Sequence, residues 1–335
     1  MKKSIVFILA ALLLAGSLSA GVVRKSKSEV TFQKFGTFST VQQEKLTAER
    51  RALEMESVFK GQGLVGSLAG KTLLRSGTFG EIVDLPQSSI TNIDHKRRQY
   101  EVRPIEPPKE QAGRPAAGGR EERQEKPEES DIKVTRSEFK VQKTDESRTI
   151  NQFACRKHLI TWVTDWENTR TGEKGTESLT SEVWTTALTP DLAAGQKAQT
   201  AFSQEYMKKL GLDRDASSDD YLGLSWVEIL GSLDVQGNKP RLTAAKAASE
   251  MKKIEGYPVL VDGKYFSKSE GGQQAAEEES GGSLLGRLSK KVLDRKPKDE
   301  GEAPILAFTT ELLEIRAADL GPGDFQPPAE YKEKK

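Results

Sequence analysis

Residues 63 to 72, GLVGSLAGKT, end in Gly70-Lys71-Thr72, the close of the G-x-x-x-x-G-K-[ST] pattern whose backbone amides and lysine cradle nucleotide phosphates. That pattern needs glycine at position 65, where this chain has Val65, and a helix immediately afterwards, where Gly77 intervenes. The glycines read instead as a flexible connection between strands. Asp213, Asp215, Ser217, Asp219 and Asp220 have the look of a calcium loop, but the sixth and twelfth positions, which need glycine and glutamate, are Ser218 and Leu224. These acids read as stabilising the positive end of a following helix.

Two histidines and one cysteine complete the reactive inventory: His95 in a charged turn, and His158 three residues after Cys155. Side chains alternate along a strand, so Cys155 and His158 point to opposite faces and do not form a catalytic pair. A structural zinc site is excluded by the same shortage of ligands. Cys155 lies among apolar neighbours and reads as a small buried hydrophobe. Acids are abundant, yet no carboxylate pair stands out. No catalytic, cofactor-binding or metal-ligating residue is assigned, and no cofactor is expected. The four tryptophans, Trp162, Trp166, Trp184 and Trp226, are candidates for a core or for the lining of a cavity.

The opening MKKSIVFILAALLLAGSLSA places Lys2 and Lys3 before an apolar run from Ile5 to Leu14, followed by small residues up to Ala20. This is the layout of a cleavable signal peptide over residues 1 to 20. A run of about ten residues spans roughly 15 Å as a helix, half of a bilayer core of about 30 Å. Cleavage is therefore expected, leaving no transmembrane anchor and a protein in the periplasm or secreted. The only cysteine is Cys155, far from the cleavage point, so a lipid anchor is not expected.

The 335 residues carry a formal net charge of +1, and losing two lysines with the leader changes this to 1 − 2 = −1. No basic field remains to hold nucleic acid. With 35% hydrophobic residues and a mean hydropathy of −0.59, part of the chain is not expected to pack. A single cysteine excludes an intrachain disulfide, so stability must come from the core and backbone hydrogen bonds.

Stepping along the mature chain, residues 104 to 130 contain five prolines, three glycines, twelve charges and one large aliphatic, Ile105. They read as a disordered linker, and residues 267 to 302 read the same way apart from an apolar island around Leu284, Leu285, Leu288 and Val292. Elsewhere the pattern has a period of two. Leu53, Met55, Ser57 and Phe59 form one such set; Phe139 and Val141 another; Leu306, Phe308, Thr310 and Leu312 a third. This predicts antiparallel strands with one face on a core.

Residues 190 to 254 break that period. Pro190 opens a helical run to Leu210, a second is predicted over Tyr221 to Leu230, and a third from Thr243 to Ile254. Leu222, Trp226, Ile229, Leu230 and Leu233 would share one face and pack on the sheet. The expected fold is α+β: a curved antiparallel half-barrel whose concave face is covered by helices inserted late in the chain. The parts are residues 21–103 and 131–266, with a terminal strand and tail at 303–328 and a charged end at 329–335.

Five segments combine in order: IDHKRRQYEV (93 to 102), TINQFACRKHLITW (149 to 162), EVWTT (182 to 186), KKIEGYPVLV (252 to 261) and DFQPPAEYKEKK (324 to 335). Together they resemble an uncharacterised family of exported bacterial proteins whose fold is related to the lipoprotein-localisation-factor half-barrel. The chain departs from that pattern at Gln152, where glycine is usual, and in the insertion before Asp131. What the resemblance implies is an apolar cavity that in the lipoprotein carriers holds acyl chains. Trp162, Trp184, Trp226, Leu222, Ile229 and Leu230 are then the expected cavity or core residues. The leading expectation is a non-catalytic binder of a lipid or acylated molecule. The alternative is an envelope interaction protein with a self-filled core, and a hydrolase ranks behind both.

Overall fold

The computed structural model describes residues 19–63, 76–107, 131–212, 220–221, 224–225, 249–270 and 303–334. Its first six strands form an antiparallel meander: β1 (Ser19–Phe32), β2 (Gly36–Leu46), β3 (Arg50–Gly61), β4 (Gly77–Asp84), β5 (Ser89–Asp94) and β6 (Gln99–Pro104). Local chemistry sets the turns. Asp84 and Asp94 each accept, through Oδ1, the N–H three residues on, from Gln87 and Arg97. Each turn then closes on a left-handed residue, Ser88 (φ 50°) or Arg98 (φ 51°). The same short aspartate device is thus used twice in succession.

A second meander follows with β7 (Ile132–Ile150), β8 (Phe153–Asn168) and β9 (Lys174–Thr186), and continues after an excursion with β12 (Tyr257–Glu270) and β13 (Leu306–Leu320). The two meanders become one sheet because the first strand pairs with the last long one: β1 lies antiparallel to β13 from Ser19↔Leu320 to Phe32↔Leu306. The resulting sheet has 12 strands in the order β14-β6-β5-β4-β3-β2-β1-β13-β12-β9-β8-β7, where β14 is Lys332–Glu333. It is open, curved and antiparallel except for the parallel pair β14 and β6. Irregularities at Lys25/Ser26, Pro258/Leu260 and Lys143/Ser147 bend it. The bend brings the β7–β8 turn round to β13, where Asn151 Nδ2 donates to Glu311 Oε1 (3.1 Å) and to the Leu312 carbonyl (2.9 Å).

Helix α1 (Pro190–Lys209) begins where the sequence predicts. Thr189 caps it by accepting the Leu192 N–H, Pro190 and Asp191 fill the first turn, and Lys208 and Lys209 sit in the last. Leu192, Gly195, Ala198 and Phe202 are its buried stripe. Leu192 packs with Leu312 and Ile315, and Phe202 packs with Val22, Leu46 and Val83. Burying each large apolar side chain contributes about 1.5–3 kcal/mol.

The rest of the helical block is corrected in part. Asp220–Tyr221 and Leu224–Ser225 pair as the short strands β10 and β11, so the second predicted helix does not begin at Tyr221. Of the third, 249–251 are helical before a turn at Lys252 and Lys253. The label α+β therefore fits only coarsely: among the described residues this is a large sheet with one long helix.

The segments read as disordered begin later than expected. Pro104 ends β6, Ile105 is buried in the core, and Ser267–Glu270 still pair with β9. Residues 108–130 and 271–302, including the Leu284 island, lie outside the described residues. The charged C-terminal end also packs. Phe325 joins Val23, Ile82, Ile93 and Leu320 on the outer face, with Tyr331 against them. Lys45 Nζ binds Asp324 Oδ1 at 2.8 Å, and Tyr331 Oη lies 3.1 Å from His95 Nδ1.

Candidate functional site

The strand registers lay three cross-strand rows on the inner face of the sheet. One runs Phe139, Trp162, Leu179, Tyr265, Leu306. The next runs Val141, Ile160, Ser181, Gly263, Phe308, Val30, Phe38. The third runs Lys143, His158, Val183, Val261, Thr310, Ser28, Thr40, Ser57. Across β7, β8, β9, β12 and β13 these rows are mostly apolar and form one buried cluster. The aromatic rings lie low because glycine faces them. A Cβ at Gly263 would meet Phe308 at 2.2 Å, and one at Gly175 would meet Trp166 at 2.4 Å. Such aromatic cover over strand glycine flattens the floor while the glycine lets the sheet curve.

On β1, β2 and β3 the same face turns polar yet stays enclosed. Ser26, Thr40, Glu44 and Ser57 are all buried. Gln42 Nε2 donates to Ser26 Oγ (3.0 Å), and the hydroxyls of Thr40 and Ser57 lie 3.4 Å apart. Arg24 pairs with Glu44 at 2.6 Å. Burial works against the Arg24 charge, but Glu44 and the Tyr257 hydroxyl outweigh it and hold its pKa above the ordinary value. An apolar floor therefore abuts a hydrogen-bonded polar wall. Among the described residues, Trp162 Nε1 and Thr164 Oγ1 are buried without a hydrogen-bond partner.

The expected cavity residues do not form one group. Trp162 sits in the floor. Trp184 belongs to a separate cluster, with Ile150, Phe153, Cys155, Leu192 and Leu312. There the Arg148 guanidinium stacks 3.9 Å from the centre of its ring, and Trp184 Nε1 donates to Glu182 Oε2 at 3.2 Å. Trp226, Leu222, Ile229, Leu230 and Leu233 lie outside the described residues, as do Gly70-Lys71-Thr72 and Asp213 to Asp219.

Cys155 and His158 fall in different cross-strand pairs, Cys155 with Thr186 and His158 with Val183. The Cys155 thiol is free, and burial raises its pKa against the weaker opposing pull of the Ile150 backbone and Arg148. Among the described residues no three His, Cys, Asp or Glu side chains converge as metal ligands, and no helix is long and apolar enough to cross a membrane.

Sequence reasoning missed the polar wall and the packed tail. The wall had a signal in the hydroxyls and amides spaced by two, Ser26 and Ser28 on β1, Thr40 and Gln42 on β2. The five signature segments converge on two places. The second, third and fourth meet where Cys155, Thr186 and Tyr257 adjoin across three strands. The first and last meet where Lys332 N–H donates to the Arg98 carbonyl and Lys334 N–H to that of Tyr100. Compared with family models, with curated proteins and with solved structures, the chain matches none of them.

Proposed function

We propose that this is an exported, non-catalytic protein that holds an amphipathic lipid or acylated molecule against the inner face of its sheet. One observation carries the reading: the inner face is divided into a continuous apolar floor and an enclosed polar wall. An acyl chain laid on Trp162, Leu179, Tyr265 and Phe308 would gain about 0.8 kcal/mol per buried methylene. Its polar end would then lie toward Ser26, Gln42 and Glu44. Burial and shape supply this affinity, so no reactive group is called for.

The test is titration of delipidated mature protein with a fluorescent fatty acid, together with native mass spectrometry of protein exported in its own host. Saturable binding that is lost in Leu179→Arg supports the reading. No binding of the probe and no copurifying lipid overturns it. N-terminal sequencing of the exported protein tests the leader, with a new terminus expected at or next to residue 21.

The second reading is an envelope interaction protein whose core is filled by its own chain. It is favoured by the burial of Ile160, Leu179, Val183 and Val261, each 0% exposed. Absence of bound lipid combined with envelope partners recovered by crosslinking would select it.

A further inference from the structure

The apolar floor continues past its buried cluster to one end of the sheet. By register, the row through Leu179, Tyr265 and Leu306 runs on to Phe32, Gly36 and Gly61, and the row through Phe308 and Val30 runs on through Phe38 to Phe59. Along the first row, exposure rises from 0% at Leu179 to 8% at Leu306 and 45% at Phe32. The floor therefore emerges into solvent at the tip of the β1–β2 hairpin.

That tip is held by backbone hydrogen bonds and surfaced by aromatic rings. Gln33 N–H donates to the Ile305 carbonyl (2.9 Å), Phe35 N–H to that of Phe32 (3.1 Å), and Gln62 N–H to that of Phe35 (2.9 Å). Lys34 closes the turn in the left-handed region, at φ 63°. The Phe35 ring centre lies 6.3 Å from that of Phe32 and 5.5 Å from that of Phe59. The Phe59 ring lies across Gly36, where a Cβ would come within 2.9 Å of it. Val58, on the opposite face of β3 by strand alternation, is 40% exposed. Both faces of this hairpin end are thus apolar.

The charges beside the tip have one sign. From Val30 to Phe38 and from Ser57 to Gly63, the charged residues are Lys34 and Lys60. Both are exposed, and among the described residues neither forms an ion pair. A protein partner docks on one face of a hairpin, whereas a bilayer interface surrounds an inserted tip. Apolar side chains on both faces fit the second case, and unpaired cations beside them complement the negative surface of anionic lipid.

We infer that the β1–β2 tip docks on a membrane surface carrying anionic lipid. Phe32, Phe35 and Val58 enter the interface, and Lys34 and Lys60 meet the headgroup phosphates. The exposed end of the floor then faces the bilayer, and an acyl chain passes between the two along Phe32 and Leu306. Docking stands on the tip's own surface; only the passage of the chain rests on the lipid-binding reading above.

The test sediments the full mature chain with vesicles of phosphatidylcholine alone, or of phosphatidylcholine and phosphatidylglycerol in equal parts. Binding to the mixed vesicles is expected, weakened about fivefold by each lysine removed. Asparagine tolerates the left-handed backbone at position 34, so the double variant Lys34→Asn, Lys60→Gln tests charge without straining the turn. It should fall to the level of phosphatidylcholine vesicles and keep wild-type affinity for a soluble fluorescent fatty acid. Phe32→Ser, at a half-exposed side chain, should weaken binding to both vesicle types about tenfold. Failure to sediment with mixed vesicles, or sedimentation unchanged in Phe32→Ser, overturns the docking. A dimer that Phe32→Ser dissociates, in the absence of vesicle binding, would give the patch to a second copy of the chain instead. Fatty-acid binding without vesicle binding defeats the docking alone, and vesicle binding without fatty-acid binding defeats the ligand reading alone.

Discussion

The ring of Phe308 lies against the backbone of Gly263 on the neighbouring strand, so close that a Cβ at 263 would come within 2.2 Å of the ring's Cζ. This contact sits at the middle of the apolar floor, where β12 and β13 pair. Gly263→Ala must displace a ring that has packed neighbours on the same face, and should cost about 1–3 kcal/mol as overpacking. The urea midpoint measures it. Adding Phe308→Leu should recover part of the loss, because the two substitutions touch each other and will not add.

His158 is buried at 1% exposure on the inner face, with Lys143 opposite it and Glu255 acting in the other direction. Burial, and then Lys143, lower its pKa below the ordinary histidine value. A lowered histidine binds fewer protons folded than unfolded. Its contribution is complete above the unfolded pKa of about 6.5 and is lost as pH falls from there through the lowered folded value. Unfolding free energy should therefore drop on acidification below pH about 6.5, by up to about 1.4 kcal/mol per pH unit from this group. His158→Gln should reduce that slope by one proton, as measured by denaturant titrations across pH.

Asp324 is held below the ordinary aspartate value first by the Lys45 ammonium and then by the Gly321 N–H, which it accepts at 3.0 Å. The depressed carboxyl contributes above its unfolded pKa and loses that contribution as pH falls through the folded one. Both side chains are about one third exposed, so screening limits the global effect to under about 1 kcal/mol. The local effect is larger. Asp324→Asn should speed amide exchange across residues 322–334 at neutral pH, with little change elsewhere.

Cys155 is enclosed by Phe153, Trp184 and Val259, and its S–H points to the Phe153 carbonyl at 3.4 Å. Burial keeps it protonated, and the thiolate is the reactive form. An aromatic disulfide reagent should label native protein only at the rate of unfolding, and label it at once in denaturant. Rapid labelling of native protein would contradict this packing.

Leu192 is fully buried where α1 meets β13, and Gly195 brings the helix so close that a Cβ there would meet Ile315 at 2.7 Å. Leu192→Ala should cost about 2–5 kcal/mol through lost transfer energy and a cavity. Thr189→Ala, which removes only the cap, should cost about 1 kcal/mol. Thermal unfolding of the two variants side by side separates packing from capping.

The sequence by itself determined the local choices. The period of two in Leu306, Phe308, Thr310 and Leu312 made a strand with one buried face, all four being buried. Thr189-Pro190-Asp191 started the helix, and aspartate-led turns ended β4 and β5. These outcomes depend on neighbours within a few residues, and alternation or capping reports them directly. Partner choice was decided only by tertiary structure. That β1 pairs with β13, about 290 residues later, depends on closing a very long loop, which leaves no trace in local pattern. Tertiary packing likewise put Trp162 and Trp184 into different clusters, folded Phe325 and Tyr331 onto the outer face, and set Arg50 beneath the tail. Sequence can say that a face will be apolar; only the assembled sheet says which residues share it.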